Sequence, residues 1–121
     1  MDVSLQDMNA EALETFLGVA TARTCRHAFL DWLGGELRGE LARRKRGGEP
    51  VVLRLPDLPL AELGAGVTIC DVIARRFSEH AERPTSAESL HTLRECARLA
   101  VAVGIGCLQE LDRQTARDRV N

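Results

Sequence analysis

Apolar residues recur at helical spacing in three stretches of this chain, separated by two breaks. The first stretch runs from about Asn9 to Arg46. Asn9 is a good N-cap, and Glu11 and Glu14 sit in the first turns, where the helix dipole favours acid. Ser4 with Asp7 offers an alternative, earlier start. Leu13, Leu17, Ala20, Thr24 and Ala28 fall on one stripe. That stripe stops, and Phe29, Leu33, Leu37 and Leu41 form a second one on the far side of a straight helix. Gly34-Gly35 lies at the change and costs about 2 kcal/mol relative to two alanines. Either the helix breaks at Gly34-Gly35, or its two halves bury against different neighbours.

Gly47-Gly48-Glu49-Pro50 ends this stretch. Val51 to Leu55 is β-like but short, and no second strand is evident to pair with it. It reads as an extended linker on the core or as an edge that pairs with a second copy. The second helical stretch runs from about Leu60 to Glu82. Gly64 and Gly66 weaken its start, and Thr68 with Asp71 resembles a capping box. Its apolar face is Leu63, Val67, Cys70, Ile73, Ala74, Phe77 and Ala81. In the third stretch, Thr85 with Glu88 forms a capping box. Leu90, Leu93, Ala97, Ala100, Val101, Gly104, Leu108 and Leu111 make its main stripe. Between Leu99 and Leu108 no polar residue occurs, so Leu99, Ala102, Val103 and Gly106 need a cover of their own.

These patterns predict an all-α fold, a three- to four-helix bundle-like domain with one short extended segment near 51–55. The 121 residues fit one helical domain over 1–121, with frayed ends at 1–8 and 113–121. Three Phe, one Trp and no Tyr leave a core of Leu, Val and Ala, which suits helices better than a β-sandwich. Hydrophobic residues make up 45% of the chain, the level of a folded protein.

Length and surface both point to a partner. An unbroken helix from 9 to 46 would span about 57 Å, against a radius of gyration of about 14 Å for a compact domain of this size. Two stripes on the first helix and an all-round apolar segment on the third exceed what three helices cover. The expected interaction surface is Phe29, Leu30, Leu33, Leu37 and Leu41, with Leu99 and Val103. The competing reading is that the first stretch folds back and the same residues are the core of a monomer.

Charge and chemistry narrow the function. The net charge of −2 gives no global field for nucleic acid or anionic lipid. The local exception is Arg43, Arg44, Lys45 and Arg46, a possible nucleic-acid contact whose plainer role is to complement a helix C-terminus. Sixteen basic residues include a single lysine, which suggests GC-rich coding and a bacterial source. No signal peptide or membrane span is evident, so the expected compartment is the cytoplasm. The four cysteines show no CxxC spacing and read as reduced. A metal site would draw on Cys25, His27, Cys70, His80, His91 and Cys96. Cys25/His27 and His91/Cys96 lack the i,i+3 or i,i+4 spacing that brings two ligands to one ion. Cys70 and His80 are about 15 Å apart along one helix, too far for a nucleophile and its base.

The expectation is therefore a small cytoplasmic regulatory or adaptor protein, not an enzyme, with no cofactor and no metal. It homodimerises and binds a protein partner through an apolar helical surface; an anti-activator that sequesters a transcription regulator is one form. The rival is a small DNA-binding transcriptional regulator using the basic 43–46 segment.

Overall fold

The computed structural model describes residues 2–22, 27–83 and 86–120, with side chains as far as 117. Among the described residues the chain forms four helices and a two-stranded sheet, so the fold is all-α and bundle-like.

The first stretch breaks, but not at Gly34-Gly35. Helix α1 spans Ala10–Ala20 and α2 spans Ala28–Arg46, with both glycines inside α2. Asn9 caps α1 as its sequence position suggested, its Oδ1 accepting the Ala12 N–H at 2.7 Å. Thr21 follows the last residue of α1, and its N–H and hydroxyl both donate to the Leu17 carbonyl, at 2.9 and 2.8 Å. His27 opens α2 by accepting the Phe29 N–H on Nδ1 at 3.0 Å. The discontinuity in the apolar stripe between Ala28 and Phe29 thus marks a new helix. Gly34 faces α1, where a Cβ would make an ordinary contact with Thr21 Cγ2 at 3.4 Å.

The extended segment finds its partner within the chain. Strand β1 (Asp2–Ser4) pairs antiparallel with β2 (Val52–Arg54), Val3 opposite Leu53. The Leu5 N–H continues the pairing to the Val51 carbonyl at 3.1 Å. Leu5 and Met8, within the segment expected to fray, are buried. Three residues cannot show the period-2 alternation that identifies a strand, which is why β1 escaped the sequence reading.

After a 3-10 turn at Leu55–Asp57, helix α3 spans Leu60–Ala81. It starts at Leu60, the expected position, with Pro59 as its N-cap, and the capping-box pair Thr68 and Asp71 lies in mid-helix. Helix α4 spans Ala87–Val120 and so includes most of the segment expected to fray. The expected capping residue Thr85 lies outside the described residues. Ser86 accepts the Ser89 N–H on Oγ at 3.1 Å and supplies the first helical carbonyl to Leu90.

Helices α3 and α4 form the most extensive contact, with α1, α2 and the sheet closing one side of the pair. The core is one cluster running from Leu5 to Cys107. Phe16 and Phe77 meet at its centre, their rings 5.6 Å apart. Close approach depends on two glycines. A Cβ on Gly104 would lie 3.1 Å from Cys70 Cβ, and one on Gly66 would lie 2.7 Å from Phe29 Cε2 and 2.8 Å from Cys107 Sγ.

Candidate functional site

The residues expected to form an exposed apolar surface lie inside the chain. Phe29, Leu30, Leu33, Leu37, Leu99 and Val103 are buried in the monomer core, and Leu41 is half-buried against it. The reason is the α1–α2 break. Once α2 is a separate helix, its stripe folds back under α1 and α3, and Phe29 wedges into the space left by Gly66. The set assigned to interaction is in this respect a correction.

The exposed apolar surface is elsewhere, and the error on α4 is one of phase. Thr92, Cys96, Leu99, Ala100, Val103, Gly106, Cys107 and Glu110 face inward. Part of the stripe read as the buried face points out instead: Val101 is 49% and Leu108 48% exposed, with Ile105 between them at 47%. The sequence reading counted Val and Leu as core and passed over Thr, Cys and Glu. Two small cysteines and a paired glutamate fill that face here. Glu110 accepts hydrogen bonds from Arg113 and Gln114, with Arg113 foremost in holding its carboxyl at about 2.

Val101, Ile105 and Leu108 form one wall of a groove of about 200 Å³ between α3 and α4, with Val67 and Ala74 on the other wall. Gly104 lies in the groove and permits the close helix pair. A second depression along the same pair, lined by Ser78, Ala81, Leu93 and Ala97, extends it toward the start of α4. Another groove, about 410 Å³, lies between α1 and α3, with Val19 and Phe77 inside and Arg76 and His80 at its rim.

The basic cluster divides. Glu40 is fully buried, and its carboxylate accepts hydrogen bonds from Arg43, from Arg44 Nε at 2.8 Å and from the Val51 N–H at 3.0 Å. Burial alone would push its pKa up; these donors overcome that and hold it at about 2, below the ordinary 4.5. Arg44 Nη2 also donates to the carbonyls of Leu5 at 3.1 Å, Gln6 at 3.2 Å and Met8. Arg43 and Arg44 are therefore internal fasteners. Lys45 and Arg46 remain exposed at the end of α2.

Side chains with catalytic or ligating chemistry are scattered. Cys70, Cys96 and Cys107 are buried thiols, and burial pushes them up to about 12, 11 and 11. Cys96 donates to the Ala12 carbonyl at 3.3 Å. His27 caps α2, while His80 and His91 are exposed on different helices. Cys25 lies outside the described residues. Among the described residues no three His, Cys, Asp or Glu side chains gather as a metal site, and no helix is long and apolar enough to cross a membrane.

No protein-family model, no curated protein and no solved structure matches this chain.

Proposed function

We propose that this chain is a small regulatory or adaptor protein that acts by binding protein through the groove between α3 and α4, without chemistry of its own. The observation that carries the reading is the row of Val101, Ile105 and Leu108. Each is about half exposed, and all lie on one side of α4 beside a groove floored by small residues. Contiguous exposed aliphatic side chains are what protein interfaces use, whereas scattered single ones need no explanation. The protonated thiols and the separated histidines support a binding role over a nucleophilic one. The DNA-binding alternative keeps only Lys45 and Arg46 as free surface cations of its four-residue cluster.

Co-purification with wild type and with Ile105→Asp as bait tests this reading. Ile105 is 47% exposed, so the variant should keep its fold, read as an unchanged far-UV circular dichroism spectrum. Wild type is expected to retain protein, its own chain included, that Ile105→Asp loses. Equal retention by the two baits overturns the proposal.

A further inference from the structure

We propose that the occupant of the α3–α4 groove is a second copy of this chain, joined antiparallel through α4 about a two-fold axis that passes between the outward-facing Val101 and Ile105. This rests on the reading of that groove as a protein-binding surface and names its partner.

The outward side of α4 carries a seam that the core does not use. Arg94, Arg98, Val101, Ile105, Leu108 and Asp112 succeed one another at intervals of four, three, four, three and four residues. That is the a/d spacing of a coiled coil, and all six are exposed. A helix whose inner face packs in its own domain has no internal use for a second seam at heptad spacing.

The order of residues in the seam selects the partner. The intervals read the same in both directions, with their midpoint at residue 103. Two antiparallel copies centred there place Val101 against Ile105 of the other copy, Leu108 against Arg98, and Arg94 against Asp112. The centre is aliphatic. The Arg98 stem can lie along Leu108 while its charge stays at the rim, near the Glu95 that it already pairs with at 3.1 Å. The ends bring a cation to an anion twice. A parallel pair would instead set Arg94 against Arg94 and Asp112 against Asp112. The charge pattern thus excludes parallel pairing and fits self-association about a two-fold axis. The seam from 94 to 112 is about 27 Å long. Because the α3–α4 groove runs beside it, each α4 lies over the groove of the other copy, giving a four-helix interface of two α3–α4 pairs.

Charge exchange tests the arrangement. Light scattering coupled to size exclusion should give wild type twice the 13.3 kDa mass of the chain, with Ile105→Asp at the monomer mass, an unchanged far-UV circular dichroism spectrum, and a melt lowered only by the loss of association. Arg94→Asp and Asp112→Arg should each weaken the dimer about tenfold, because each puts like charges at both ends. Mixed together, the two variants should restore a heterodimer near wild-type affinity, since both ends are then opposite in sign. Sedimentation equilibrium on the separate and mixed variants reads this out. The inference is overturned by a monomeric wild type, by a dimer insensitive to Ile105→Asp, or by variants that do not rescue one another on mixing. A monomeric wild type that still loses a captured host protein on Ile105→Asp would remove the self-pairing and leave the binding surface standing.

Discussion

Glu40 Oε2 accepts a hydrogen bond from Arg44 Nε at 2.8 Å, and the same guanidinium holds the carbonyls of Leu5, Gln6 and Met8. Through this one pair the C-terminal end of α2 is tied to the segment that follows β1. Glu40 also accepts the Val51 N–H, so the strand entering from the other side hangs on the same carboxylate.

The pair has a pH signature. The folded pKa of Glu40 is about 2 against an ordinary 4.5, so its contribution is fully present above pH 4.5 and is lost as pH falls through about 2. Glu110, also held at about 2, adds loss in the same window. Urea denaturation followed across this range should therefore show stability falling, with a shallower fall in Glu40→Gln. At neutral pH Glu40→Gln should cost about 3 kcal/mol, toward the low end for a broken buried ion pair because both guanidinium groups touch water. A Glu40→Gln variant with the same acid profile as wild type would refute the assignment.

Neighbouring cations should behave differently. Arg44→Ala removes the Glu40 bond and three backbone bonds together and should cost about 2–3 kcal/mol. Lys45→Ala, on an exposed side chain, should stay within about 0.5 kcal/mol. Thermal melts of the two variants make the comparison. Neutralising all four cations at once would mix loss of charge with loss of fold, so DNA binding is better tested at Lys45 and Arg46.

Two glycines should respond with opposite sign. At Gly66 a methyl group would meet Phe29 and Cys107, both fully buried, and Gly66→Ala should cost about 1–3 kcal/mol by overpacking. At Gly35 nothing lies within 4 Å of a built Cβ, and Gly35→Ala should gain about 0.5–1 kcal/mol of helix stability. Chemical denaturation midpoints measure both; a stabilising Gly66→Ala would mean that α3 and α4 have room to separate.

Helical periodicity found most of the helical chain, and Asn9 and Leu60 mark helix starts that the structure keeps. The face of α3 from Leu63 to Phe77 was legible because Leu63, Ile73 and Phe77 fix its phase, although the buried Gly66 was not read on it. The α1–α2 break was visible only as a stripe that stopped at Ala28. Its start signal is a histidine cap, which propensity ranks poorly, while Gly34-Gly35 offered a stronger but false breaker. On α4, an apolar segment on all sides gives no moment from which to read an orientation.

Local pattern by itself determined the helical class and most of the positions that are helical. These follow from spacing along the chain, which a single strand of sequence contains in full. Which side of α4 faces inward, which strand pairs with Val52–Arg54, and where the Arg43–Arg44 charge is spent were decided by tertiary structure. Each depends on what a distant segment places opposite: Gly66 making room for Phe29, Asp2–Ser4 completing a ladder, Glu40 gathering two guanidinium groups. Such complementarity is a property of pairs of residues far apart in the chain, and no periodicity within either segment records it.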